Sequence, residues 1–212
     1  MIPAALGPHE RELTPLPRSF YEGGVLDVAK AMIGLVLVHR APEGTVAGRI
    51  VECEAYRGPE DRAAHSAGGR RTRRTEVMFG PPGHAYMFLL YGMHWAFNVV
   101  VGPEGQPHAV LVRAVEPVVG VEIMAARRGL AKEDVRLTNG PGKLCAALGL
   151  DARAYGLNLC SSNLFLAAPP GGKRPRVGRS TRINVDYAGA WARKPWRFHE
   201  RGSGYVSVAP RG

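Results

Sequence analysis

The sequence predicts an α+β fold in a single domain, and three observations carry that expectation. Apolar segments with period-two alternation come in neighbouring pairs, as the arms of β-hairpins do. Between them stand short segments with helical spacing that end on glycine. Their order lacks the regular βαβ rhythm of a parallel α/β sheet, and neither an internal repeat nor a domain linker interrupts it. The 212 residues supply one substantial core, whereas two full domains would be cramped.

Residues 1–18 are rich in proline and mixed charge and are expected to form a flexible lead-in, leaving 19–212 as the domain. Val25, Val28, Ala29, Met32 and Ile33 recur at helical spacing, which predicts a helix over Val25–Ile33 stopped by Gly34. Leu35–His39 reads as a strand, Pro42-Glu43-Gly44 as a turn, and Thr45–Tyr56 as the hairpin partner. A long Gly-, Pro- and Arg-rich excursion follows over 57–85; connections of that length inside a domain are usually functional or mobile. Tyr86–Tyr91 and Trp95–Val101 form a second hairpin with Gly92 at the bend. His108–Val115 is a strand, Val119–Arg128 a helix, and Asn139–Lys143 opens a short helix that Gly149 closes. Residues 166–180 read as a loop, followed by short strands at Ile183–Val185, Trp196–His199 and Tyr205–Val208.

Hydrophobic residues make up 45% and charged residues 22%, which excludes general disorder. No apolar run approaches the roughly 20 residues that span a bilayer, and no charged leader precedes a long apolar segment. Three cysteines (Cys53, Cys145, Cys160) lack metal-ligand spacing. The expected setting is therefore a reducing cytoplasm. Lys and Arg total 28 against 18 Asp and Glu, a formal +10 that favours an anionic partner, nucleic acid first and membrane second. Solubility in an Arg-rich proteome would account for the same number.

The stretch from Ile50 to Tyr56 alternates. Ile50, Glu52, Glu54 and Tyr56 share one face, and Val51, Cys53 and Ala55 share a face expected against the core. Side chains two apart on a strand lie roughly 6–7 Å apart, so two carboxylates and an aromatic ring stand together. A positioned carboxylate can act as a general base toward water. Two solvated acids on an exposed face are the plain alternative.

Tyr86, Phe88 and Leu90 share a strand face, where core packing is the first explanation. Tyr91 and Met93 differ because they flank Gly92 at a hairpin tip. A ring and a thioether there suit a wedge entering stacked bases. Arg70-Arg71-Thr72-Arg73-Arg74 follows two glycines, and a phosphate backbone would compensate four arginines that otherwise repel one another. A solvated tail remains the alternative. Asn139–Lys143 offers helix-start N–H groups and a lysine to an anion, but not with P-loop spacing. His65, His84 and His94 fit no zinc motif, and neither a Gly-x-Ser-x-Gly elbow nor a dinucleotide fingerprint occurs. Neither metal nor cofactor is expected.

Several segments keep their order along the chain: Arg49-Ile50-Val51-Glu52-Cys53-Glu54-Ala55-Tyr56, Gly58-Pro59-Glu60-Asp61, Ala63-Ala64-His65-Ser66, Met78-Phe79 and Tyr91-Gly92-Met93. Asn98, Leu111–Pro117, Gly140–Cys145 and Trp191–Pro195 follow. Together they cover about residues 20–208 and resemble the alkyladenine (methylpurine) DNA glycosylase family. That resemblance implies a mostly antiparallel curved sheet with flanking helices and a protruding DNA-intercalating hairpin, similar to the formyltransferase C-terminal domain. It implies a monomeric, monofunctional enzyme that removes damaged purines from double-stranded DNA without a cofactor and without strand cleavage.

Residue by residue, the resemblance makes Glu54 the general base and Arg113 the group that orients it and its water. Tyr56 stacks on the flipped purine and His65 meets its edge. Asn98 excludes normal guanine, whose exocyclic amine would clash. Tyr91 fills the gap left in the duplex; on the reading of the residues themselves, Met93, Arg70, Arg73 and Lys143 are expected on the DNA. Phe88 replaces the family's second stacking tyrosine, so stacking is kept and a hydroxyl is lost. Cys53 stands where mammalian relatives carry threonine. Two other readings remain open: a non-catalytic nucleic-acid module, in which Glu54 and Arg113 need not converge, and a sugar hydrolase using Glu52 with Glu54. The last is disfavoured because such enzymes place carboxylates on opposite sides of the bond.

Overall fold

One long strand organises the molecule. In the computed structural model, which describes residues 13–169, 171 and 175–209, β1 (Val36–Ala41) turns into β2 (Gly44–Arg57). The further strands are β3 (Ala85–Leu90), β4 (His94–Val101), β5 (His108–Val119), β6 (Leu164–Ala167), β7 (Val177–Ser180) and β8 (Arg197–Glu200). They form an eight-stranded sheet in the order β3-β4-β5-β2-β1-β6, with β8 pairing β2 and β7 pairing β8. Every pairing among the described strands is antiparallel. Because β2 pairs β1 early and β8 later, residues 52–54 lie between two hydrogen-bonded neighbours, β5 and β8.

Three α-helices are present among the described residues: α1 (Val25–Met32), α2 (Val121–Arg128) and α3 (Pro141–Leu148). On α1 the apolar stripe Val25, Val28, Ala29 and Met32 is buried, with Asp27 in the first turn and Lys30 in the last, matching the helix dipole. These side chains, with Leu144, Cys145, Ala147 and Leu148 of α3, cover one sheet face over Met87, Phe97, Val99, Val110 and Val112. The architecture is thus α+β, with helices on one face and the other left for loops.

The expected helices and first two hairpins form, with ends shifted by a few residues. α2 starts at Val121 because β5 continues to Val119. Between them Gly120 takes a left-handed φ of 67°, and a Cβ there would lie 2.3 Å from the Thr45 carbonyl oxygen. Leu90 O accepts from Met93 N–H at 3.0 Å, and Tyr91 (φ 50°) and Gly92 (φ 72°) both sit in the left-handed region. Two positive φ values at the centre of the Leu90–Met93 turn, within a three-residue connection, match the twist of the flanking strands.

Four expectations are corrected. Residues 166–180 are not simply a loop: β6, an unbroken buried run Leu-Phe-Leu-Ala, begins at Leu164, and β7 forms at Val177. Neither Ile183–Val185 nor Tyr205–Val208 is a strand. The reason is shared: Ile183 N–H donates to Glu54 and Ser207 N–H to Glu52, so these amides serve side-chain carboxylates rather than a ladder. Of the lead-in expected over 1–18, residues 1–12 lie outside the described residues. Within 13–18, Leu13 is buried and Leu16 N–H bonds Leu166 O at 2.9 Å, while Thr14 and Pro17 stay exposed.

The fourth correction concerns Ile50. It packs with Cys53 and Ala55 in the helix-covered core and not on the Glu52 face. Alternation breaks because Val51 is an extra residue on β2: Ile50 pairs Val115, yet Glu52 pairs Ala114. Arg113 is the compensating extra residue on β5, since Cys53 next pairs Val112. Such bulges re-aim side chains.

Candidate active site

On the face away from the helices, a cavity of about 350 Å³ is bounded by strands β2 to β5 and by loops. β2 supplies Tyr56, β3 supplies Tyr86 and Phe88, β4 supplies Asn98, and β5 supplies Arg113. His65 enters from the 57–85 excursion, and Ile183, Asn184, Val185 and Tyr187 enter from the segment before β8.

Glu54 is fully buried directly behind this wall. Its Oε2 accepts the Tyr56 hydroxyl at 2.8 Å and its Oε1 accepts Ile183 N–H at 2.8 Å. Arg113 Nη1 lies 3.4 Å from Oε1. The three residues that touch Glu54 are thus themselves cavity-lining. Burial works against the Arg113 charge, but Glu54 and then Glu52 outweigh it and raise its pKa. Burial and the Glu54 charge hold the Tyr56 hydroxyl well above the usual phenol range, so it stays protonated and donates.

The Tyr86 and Phe88 rings lie 5.6 Å apart, centroid to centroid, and His65 stands edge-on to Phe88 at 4.4 Å. His65 Nδ1 shares a 2.7 Å hydrogen bond with the Tyr86 hydroxyl. Burial first, then Arg74 and Arg70, push its pKa down to about 4, so the ring is neutral near pH 7. Asn98 is buried and donates Nδ2–H to the Tyr86 carbonyl at 3.1 Å, while its Oδ1 has no partner among the described residues. At the rim, Tyr91 and Met93 are 78% and 72% exposed, so the hairpin tip is apolar and open.

The described residues bring no three His, Cys, Asp or Glu side chains together in a metal-binding group. What they do bring together is a carboxylate with a fixed cation, flat apolar walls, an amide acceptor and an exposed aromatic tip.

Residues 19–204 match the family described as methylpurine-DNA glycosylase. The chain belongs to that family. It is 48% identical over 201 residues to a Bacillus cereus protein named "Putative 3-methyladenine DNA glycosylase", covering 90% of this chain and 98% of the relative. Relatives of the same name in Bacillus anthracis and Bacillus thuringiensis are 49% and 48% identical over the same shares of each chain. As a member of this glycosylase family, the protein is a DNA-repair hydrolase of N-glycosyl bonds.

In this glycosylase Glu54, Arg113, Tyr56, His65, Phe88, Asn98 and Tyr91 converge on or directly behind one cavity. Arg70, Arg73, Lys143 and Met93 lie outside its wall. Arg70 and Arg73 are exposed with no carboxylate within 4.0 Å among the described residues, whereas Arg71 pairs with Glu76 at 2.6 Å. Lys143 donates to Asn139 Oδ1 at 2.8 Å at the start of α3, beside Pro141 of the cavity.

The segment 181–187 gives no sign of this role in the sequence, because Ile183 and Val185 mimic a strand. Arg182 within it is buried and forms an ion pair with Asp61, with its guanidinium 4.8 Å from the Tyr56 ring centroid. Asp61 falls within one of the family-like segments, yet its spacing points to no role. Tyr86, expected in the core, is both buried and part of the wall. Glu52 is not free to pair with Glu54 in sugar hydrolysis, since Arg113, Arg197 and Ser207 occupy its oxygens.

Proposed function

We propose that the protein is a monofunctional glycosylase that flips alkylated or deaminated purines out of duplex DNA and hydrolyses the N-glycosidic bond. The observation that carries this is the contact of Glu54 with Arg113, Tyr56 and Ile183 N–H at the back of an aromatic-walled cavity. The 3.4 Å Glu54–Arg113 contact also disfavours a merely binding module, which has no use for that convergence.

Tyr91 enters the stack while the nucleotide rotates out, an unstacking that costs a few kcal/mol and least for a damaged base. Tyr56 and Phe88 then stack on the purine, at about 1–3 kcal/mol per base. The Tyr56 hydroxyl and Phe88 differ here: only the former bonds Glu54, so Phe88 supplies surface alone. Neutral His65 meets the base edge, and the buried Asn98, held by its bond to the Tyr86 carbonyl, stands where the guanine amine would clash. As the bond breaks, positive charge on the sugar is stabilised by Glu54. A water beside Arg113 gives its proton to Glu54 and adds to the anomeric carbon, leaving an abasic site. No lysine lines the cavity among the described residues to form a Schiff base, in keeping with hydrolysis without strand cleavage. Methylpurines, hypoxanthine and ethenoadenine are the substrates, and the enzyme works as a monomer in the bacterial cytoplasm.

Duplexes carrying each lesion, incubated with enzyme and then cleaved at abasic sites by alkali, test this reading. Glu54→Gln should abolish base release and retain lesion-DNA binding. Near-normal turnover by that variant, or strand breaks before alkali, would sink it.

A further inference from the structure

Glu52, the second carboxylate of β2, is fully buried and does not line the cavity. Four donors surround it. Oε1 takes Arg113 Nε–H at 3.0 Å, Arg197 Nε–H at 2.6 Å and the Ser207 hydroxyl at 3.0 Å; Oε2 takes Ser207 N–H at 2.6 Å. Arg197 comes from β8, and the same guanidinium also donates to the Val208 carbonyl. The carboxylate is thus held by β5, β8 and the C-terminal segment at once.

Arg113 spends each edge of its guanidinium differently. Nε donates to Glu52, Nη2 donates to Ser207 Oγ at 3.3 Å, and Nη1 faces Glu54 at 3.4 Å. A guanidinium is planar and its donors form a rigid fork, so fixing two edges fixes the third. The 3.4 Å separation exceeds the ~2.7–2.9 Å of a charge-assisted hydrogen bond. Glu54 therefore feels the cation without being closed up by it, and its hydrogen bonds run to Tyr56 and Ile183 instead.

We propose that Glu52 is a positioning residue for the hydrolysis: it draws Arg113 toward itself and keeps the guanidinium from closing on Glu54 as a bidentate pair. The inference rests on the reading of Glu54 as the base. Without Glu52, the fork is free to rotate onto Glu54 and occupy the lone pairs that a water proton needs. The bulge at Arg113 makes this geometry reachable, because it places one side chain of β5 within reach of two carboxylates on β2. Ser207 extends the anchor to the C-terminal segment 203–209, none of which lines the cavity among the described residues. As a bare stabilising device the cluster would be weakly motivated, since two buried carboxylates and two guanidiniums spend most of their attraction on desolvation.

Single-turnover base release and lesion-DNA binding, measured for E52Q, S207A, R113Q, E54Q and the double variants E52Q/R113Q and S207A/R113Q, test this. E52Q is expected to slow release by about 10²-fold, the scale of a small misplacement in an active site, with binding unchanged. S207A should slow it in the same sense but less. Neither substitution should slow the R113Q enzyme further, because both act through Arg113. Wild-type release by E52Q overturns the proposal, as do losses that multiply with R113Q. If E52Q does not fold, S207A and its cycle with R113Q decide the matter alone. Full release by E54Q would instead reject the base assignment, whereas an inactive E54Q beside a fully active E52Q rejects only the positioning role.

Discussion

Tyr56 donates its hydroxyl to Glu54 at 2.8 Å, so a wall of the cavity is also a ligand of the carboxylate behind it. The two residues stand two apart on one face of β2, and the proposed binding and chemistry would meet in one side chain. Tyr56→Phe keeps the stacking surface and deletes that bond. Hydrogen bonds to charged groups contribute about 1.5–3 kcal/mol, which predicts a roughly ten- to hundredfold slower release. Lesion-DNA affinity should stay near wild type, and an equal loss in both quantities would refute the division of labour.

The pH response of His65 follows from its environment. Its pKa is pushed from 6.5 down to about 4, first by burial and then by Arg74 and Arg70. Between those pH values the unfolded chain takes up a proton that the folded pocket refuses, so stability from this residue is full above pH 6.5 and falls as the pH drops toward 4. Titration of the ring by NMR should find the lowered value, and Arg74→Ala and Arg70→Ala should each raise it. An unshifted His65 in the folded protein would contradict this.

The arginines of the 70–74 segment should not be equal in DNA binding. Arg71 is paired with Glu76 and lies 5.0 Å over the Phe79 ring, while Arg70 and Arg73 are unpaired among the described residues. Each phosphate that a cation neutralises adds about 0.9 to the steepness of log affinity against log salt. Arg70→Ala and Arg73→Ala should each make that dependence shallower by one such step, and Arg71→Ala by less. Equal slopes for all three would mean that the Glu76 pairing opens on DNA.

Removing Asp61 leaves Arg182 buried and unpaired beneath Tyr56. Breaking one side of a buried pair costs about 3–5 kcal/mol, so Asp61→Ala should unfold at markedly lower denaturant. A chemical midpoint within error of wild type would show that Arg182 finds solvent or another partner.

How much of this is legible in the sequence depends on what each contact needs. Glu54 and Tyr56 are visible as alternation on one strand, and Tyr91 as a ring at a glycine-marked bend. Those features are local. Arg113 can be named from resemblance, but its reach to two carboxylates depends on a bulge that no residue pattern marks. Ile183 and Ser207 imitate strand residues because apolar alternation says nothing about where an amide finds its acceptor. Arg182 and Asp61 are 121 positions apart, and only the fold makes them partners.

The bulges at Val51 and Arg113 cancel, so the ladder between β2 and β5 keeps the same register on both sides of the site. Deleting Val51 alone would leave the two halves of β2 out of step, and either the carboxylates or the apolar half would face the wrong layer. A lineage can lengthen or shorten this region only by changing both strands together, and a graft onto another sheet has to carry both. The portable unit is a strand pair, although the part that reads as a motif belongs to one strand.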